Sequence, residues 1–206
     1  MSNQNKTHWY DGWFYDKFIA PNQDRLFGQI KDLIEPNSNI IDVGCGTGRF
    51  SFSVSDKCKS VLGIDLSRRN IERANLILSQ NPNDKITFQN KSVNEIIAEG
   101  KEQFDYAVMT YVIHEVDEEK RVNLLKETAQ VADKIIIGDY LVPKPKGFWS
   151  GLNEIVEFVA GSEHYRNYKN YSANGGIYYL ANKAGFKIAN EIKNQPSTSH
   201  LVMLMK

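Results

Sequence analysis

At 206 residues the chain is long enough to bury a full α/β core, and one domain is the better prior for this length. Lys plus Arg equals Asp plus Glu at 25 each, so no global field gathers polyanions, and generic RNA or DNA binding is disfavoured. Two cysteines are too few for a disulfide scaffold or a metal cluster, and no apolar run is long enough to span a bilayer; a reducing, cytoplasmic setting is expected.

The segment THWYDGWFYDKFIAP gathers Trp9, Tyr10, Trp13, Phe14, Tyr15 and Phe18, and residues 1–34 read as an N-terminal helical lid. The first residues lack the apolar core of a signal peptide. IIDVGCGTGRF then runs an apolar strand, near 39–43, into a glycine loop. Gly44, Gly46 and Gly48 are spaced GxGxG, whereas a dinucleotide fingerprint would need glycine at Arg49. A tight strand-to-helix turn without a ligand is the bland alternative.

VLGIDLS predicts a second strand, near 60–65, ending in Asp65, whose carboxylate can accept hydrogen bonds from two vicinal hydroxyls. Ser67 is the N-cap of the helix that follows, a role compatible with ligand binding by Asp65. ITFQNKSVNEI predicts a third strand, near 85–90, with Asn90, Ser92 and Val93 at or just past its end. FDYAVMTYVIHEVD predicts a fourth, near 104–110, turning polar at Thr110, Tyr111 and His114. IIIGDYLVPKP predicts a fifth, near 133–139, with Asp139 at its carboxyl end.

Residues 146–176 read as an insertion rich in aromatics, among them Trp149, Phe158, Tyr165, Tyr168 and Tyr171. If EHYRNYKNY is helical, His164, Tyr168 and Tyr171 share one face, as ordinary packing or as the wall of a site for a flat acceptor. A helix IYYLANKAGF and two more strand-like runs, KIANEIKN and HLVMLMK, complete the chain. Strands alternating with amphipathic helices imply an α/β fold, a mostly parallel sheet covered on both faces. Right-handed crossovers would bring Asp42, Asp65, Ser92, Thr110 and Asp139 to one edge.

The spacing of Asp42, Gly44, Gly46 and Gly48 resembles the first motif, acidic-x-Gly-x-Gly-x-Gly, of the class I S-adenosylmethionine (SAM) dependent methyltransferases. That resemblance implies a Rossmann-like seven-stranded, mostly parallel sheet with its last strand antiparallel, a single domain over 1–206, SAM as methyl donor and S-adenosylhomocysteine as product. It implies that Asp42 partners the cofactor's ammonium group, that the loop from Gly44 through Cys45 and Gly46 to Gly48 lies along its methionine end, and that Asp65 holds the ribose. Leu66 would flank the adenine, Ser92 or the main chain at Val93 would read its amino group in place of the family's usual acidic or polar residue, and Thr110 would lie toward the sulfonium. Tyr15 with Asp16 matches the family's Tyr-Asp pair, and Tyr10 with Asp11 is a second candidate.

Over residues 10–145 the chain is similar to the ubiquinone/menaquinone-biosynthesis-like methyltransferases. It lacks an Asn/Asp-Pro-Pro-aromatic box, a Pro-Cys nucleophile, a paired-glutamate loop and an Asp-Asn metal pair. A small-molecule acceptor, no metal and no nucleic acid are therefore expected; oligomeric state is left open. Methyl transfer needs a base only when the nucleophile must lose a proton, and His114 is the first candidate, with Asp139 and His164 behind it. His114 could equally pack at the start of the next helix. Two other classes compete: a nucleotide-binding oxidoreductase with a variant loop, and a non-catalytic partner protein on the same fold.

Overall fold

Short apolar runs separated by glycines and capping residues become helices and strands that alternate as far as the fifth strand, after which two helices lead to two strands. The computed structural model describes residues 20–100, 103–145, 151, 154–155, 157–159, 161–194 and 198–206. Helix α1 (Ala20–Leu33) precedes β1 (Asn39–Val43), α2 (Arg49–Val54), β2 (Ser60–Ile64), α3 (Arg68–Gln80) and β3 (Ile86–Gln89). Then come α4 (Val93–Ala98), β4 (Phe104–Thr110), α5 (Glu118–Val131) and β5 (Ala132–Tyr140). Helices α6 (Ser162–Ala173) and α7 (Gly176–Ala184) lead to β6 (Lys187–Lys193) and β7 (Ser199–Met205).

The strands form one seven-stranded sheet in the order β3-β2-β1-β4-β5-β7-β6. Pairing is parallel from β3 through β5, and β7 runs antiparallel to both β5 and β6. The expected architecture, with the last strand reversed, is what forms. Of the expected lid, only the part from Ala20 onward is described; Tyr10, Tyr15 and the other aromatics before it lie outside the described residues, as does Trp149.

Alternation along each strand divides the core between the two faces. Ile41, Val43, Ala107, Met109, Ile135 and Ile137 pack with Val93, Ile96, Leu125, Ile177 and Leu180 from α4, α5 and α7. On the other face Ile40, Val61, Tyr106, Val108 and Ile136 meet Leu26, Ile30, Phe50, Val54 and Ile71 from α1, α2 and α3. Full burial of each such aliphatic side chain contributes about 1.5–3 kcal/mol, so both faces are needed to hold the sheet. Ser67 caps α3 by accepting from Asn70 N at 3.3 Å, the expected role.

Near the β2–β3 end of the sheet, packing is close enough to demand a missing side chain. A Cβ on Gly63 would lie 2.5 Å from the Phe88 ring and 3.0 Å from Cys45 Sγ. Gly63→Ala is therefore expected to cost about 1–3 kcal/mol by overpacking. Chemical denaturation measures that loss, and Phe88→Leu in the same chain should recover part of it.

Candidate active site

The loop after β1 owes its shape to glycine. Gly44, Gly46 and Gly48 take φ of 74°, 55° and 85°, the left-handed region that other residues enter at a cost. Gly44 N and Cys45 N both donate to Ile64 O, at 2.8 and 3.0 Å, which bends the chain over the end of β2. Gly46 N donates to Asp65 Oδ2 at 2.9 Å, and Ser67 N to Asp65 Oδ1 at 2.7 Å. One carboxylate thus pins the loop to the start of α3 while keeping lone pairs for a further donor. A Cβ on Gly44 would strike Val112 at 2.6 Å and one on Gly48 would strike Phe88 at 2.3 Å, but one on Gly46 would meet nothing within 4 Å. The middle glycine faces open space.

Asp42 lies beneath this loop, wholly buried. Its Oδ2 accepts from Ser51 Oγ at 2.6 Å, and its Oδ1 has no partner among the described residues. Burial, with a smaller contribution from the Asp65 charge, pushes the carboxyl up to about 7 against the Ser51 hydrogen bond. A buried carboxylate oxygen without a partner is costly unless a cation or donor completes it.

Several of the expected loop contacts are differently occupied. The Cys45 side chain is buried in the core and its amide is taken by Ile64, so this residue shapes the loop from inside; burial also pushes its thiol up. Ser92 caps α4 in a capping box with Glu95, and the Val93 side chain belongs to the core, because an N-cap at this position satisfies otherwise orphaned amides. What remains beside Asp65 for an apolar ring is Leu66, 78% exposed. Thr110 ends β4 half-buried, and Tyr111 just beyond has φ 57° and donates its amide to Gly138 O at 2.8 Å.

His114 and Asp139, expected from different strands, meet. Their Nδ1 and Oδ1 lie 2.7 Å apart and His114 N donates to Asp139 Oδ2 at 3.3 Å, with both side chains buried. An ionised carboxylate only accepts, so Nδ1 carries the proton. The other ring nitrogen, Nε2, is buried without a hydrogen-bond partner among the described residues; Glu157 Oε1 stands 3.6 Å away. Tyr140 OH donates to Glu157 Oε1 at 2.7 Å, and the rings of Tyr140, Tyr168 and Tyr171 stand 4.8 to 6.3 Å from the imidazole. Burial alone would push His114 down, but the Asp139 and Glu157 carboxylates outweigh it and hold the imidazole well above its usual value.

Arg121 of α5, 1% exposed, braces this cluster. Its guanidinium donates to His114 O at 3.1 Å, Asn167 O at 2.8 Å and Asn170 Oδ1 at 2.9 Å, and its Nε to Val116 O at 2.8 Å. His164 stands apart: its side chain is 40% exposed and its Nδ1 is 3.8 Å from Glu115, with no hydrogen bond to His114 or Asp139 among the described residues. Its expected face-mates Tyr168 and Tyr171 are buried against His114 instead. Glu157, Tyr140 and Arg121 escape sequence reasoning; only the acid within the apolar run EIVEFV hints at a buried carboxylate.

A sheet in this order, with a glycine loop after β1 and an acidic residue after β2, defines the fold of the class I SAM-dependent methyltransferases. Residues 40–134 match a methyltransferase domain family, which covers β1 through the start of β5. Of solved structures, magnesium protoporphyrin IX methyltransferase from Synechocystis with bound S-adenosylhomocysteine aligns with TM-score 0.67 at 19% identity, over 96% of this chain and 91% of that one. The O-antigen chain terminator bifunctional methyltransferase/kinase WbdD of Escherichia coli is 32% identical over 123 residues, which is 56% of this chain and 17% of the relative. An uncharacterized RNA methyltransferase of Mycoplasma mobile is 29% identical over 84 residues, 41% of this chain and 23% of the relative. The chain thus spans less than a quarter of either sequence relative's length. Among the described residues no His/Cys/Asp/Glu group is placed to hold a metal, and no helix is long and apolar enough to cross a membrane.

The open face at Gly46 gives a direct test of the loop. Gly46→Arg should leave thermal stability within about 1–2 kcal/mol, the cost of a left-handed non-glycine residue, while abolishing SAM binding in calorimetric titration. Retained affinity would show that the cofactor does not cross this glycine.

Proposed function

We propose that this chain transfers a methyl group from SAM to a small-molecule acceptor, with His114 as the base that takes the acceptor's proton. The observation that carries the donor half is the unpartnered Asp42 Oδ1 beneath a loop open at Gly46, a combination that suits a zwitterion's ammonium and its neighbouring chain. Gly44 through Gly48 would lie against the cofactor, Asp65 would take its ribose hydroxyls and Leu66 its adenine face. When bound, SAM supplies a sulfonium-activated methyl group.

For the acceptor half, Asp139 fixes the His114 ring plane and keeps the proton on Nδ1, so that Nε2, once its own proton has left, is the nitrogen that receives the acceptor's. Tyr140, Tyr168 and Tyr171 wall the imidazole from water, which suits the holding of nucleophile and methyl in line. An aromatic enclosure around a deep histidine favours a small acceptor over a folded macromolecule. The motif resemblance supports a methyltransferase similar to the ubiquinone/menaquinone-biosynthesis-like enzymes, without implying a quinone acceptor; chain length and the aromatic segments support one domain with a lid over 1–34 and an insertion over 146–176, and composition supports a cytoplasmic place. RNA, the substrate class in several relatives' names, is the alternative that an RNA methylation assay would reveal.

The proton on Asp42 gives a signature of the donor site. Its folded value of about 7 stands above the ordinary 3.8, so between these the folded protein holds a proton that the unfolded chain does not, and stability from this group falls as pH rises through that window. If the cofactor's ammonium partners Asp42, SAM binding near pH 6 releases protons; calorimetry in buffers of different ionisation enthalpy measures them, and buffer-independent heats would exclude the pairing. His114→Ala should slow turnover by about 10²–10⁴-fold with SAM affinity unchanged, read by methyl-transfer assay and titration. Unaltered turnover would reduce His114 to a packing residue.

A further inference from the structure

Beside the His114–Asp139 pair stands a carboxylate that the proposed reaction does not require. Glu157 is 6% exposed and belongs to the described residues 157–159, which are helical within the substrate-side insertion. Its Oε1 is 3.6 Å from His114 Nε2 and accepts from Tyr140 OH at 2.7 Å. That direction from Nε2 is where an acceptor's acidic proton would have to arrive. Nearby Glu154 is spent on the outside of the insertion, bonding Lys144, Tyr165 and Lys169.

We propose that Glu157 is a positioning residue that occupies the outlet of the His114 imidazole, so that an acceptor reaches Nε2 only by taking its place. The inference rests on the reading of His114 as the base. With Asp139 on one side and Glu157 on the other, the ring is most stable as an imidazolium, which donates at both nitrogens and accepts at neither. When the acceptor displaces Glu157, the Nε2 proton leaves on the departing Glu157 carboxylate, which becomes a neutral acid, and the Nε2 lone pair is then open to the acceptor's proton. The base is thereby kept idle until the acceptor is in place.

The groups that face the imidazole limit what else could set its protonation. Asp139 and Tyr140 come from β5, Tyr168 and Tyr171 from α6, and Arg121 of α5 reaches the His114 carbonyl. Glu115 adjoins His114 in sequence and lies 3.8 Å from His164 of α6. The tyrosines are neutral, since burial pushes Tyr140 and Tyr171 well above the usual phenol value. Glu157 is therefore the one carboxylate besides Asp139, among the described residues, that stands within 4 Å of the ring nitrogens.

The test is Glu157→Gln, which keeps the shape and removes the charge, read by NMR titration of the His114 imidazole in the SAM-bound protein. The midpoint should fall by about 1 unit or more, and the acid limb of the kcat/KM profile should move down with it, giving up to about 10-fold more activity on the acid side. Tyr140→Phe, which frees Glu157 from its tether, should move both in the same direction by less. An unmoved His114 midpoint in folded, SAM-binding Glu157→Gln protein overturns the proposal. A midpoint that falls while the pH profile stays put would uphold the influence of Glu157 on the ring but refute His114 as the base, and with it the gate.

Discussion

The candidate cofactor site depends on one carboxylate at the end of β2. Asp65 accepts from Gly46 N and Ser67 N, and so ties the loop after β1 to the helix after β2. Without it the positive-φ glycines would be free to take many shapes, because the permissiveness that lets them bend also leaves them unordered. The ribose role proposed for the same residue would add a ligand-facing task to this structural one, and its two oxygens have enough lone pairs for both.

Most of the fold was legible because its punctuation is local. Strands β1, β2 and β4 are apolar runs closed by Gly44, Asp65 and Thr110, and Ser67 and Ser92 sit where N-caps belong. The donor half of the site was legible for the same reason: a strand end and its loop are contiguous in sequence. Elsewhere a residue expected at the cofactor also has a structural role: Ser92 caps α4, Val93 opens it, and the small Cys45 side chain fills the space beside Gly63.

The acceptor half was only partly legible, since its contacts join residues far apart. His114 and Asp139 were named singly, yet nothing in their spacing announces a 2.7 Å contact. Glu157 and Arg121 were invisible as site residues because their meaning is conferred by partners on other elements. Arg121 shows how the pieces are held: a buried guanidinium that donates to backbone carbonyls on both sides of a seam fixes the segment after β4 to α6 with little room to slide. The imidazole position is accordingly set by main-chain geometry as much as by its carboxylate.

The placement of β7 between β5 and β6 bears on how the chain folds. Among the described residues β6 pairs only with the strand that follows it, and β5, which carries Asp139, keeps an open edge until β7 pairs Asp139 opposite His200. On a ribosome the five parallel strands and the glycine loop emerge first, with an unpaired edge beside the residue that later orients His114. A nascent chain can therefore shape its glycine loop before the β5 side of the sheet is sealed, and in that interval the β5 edge is open to pairing with another chain.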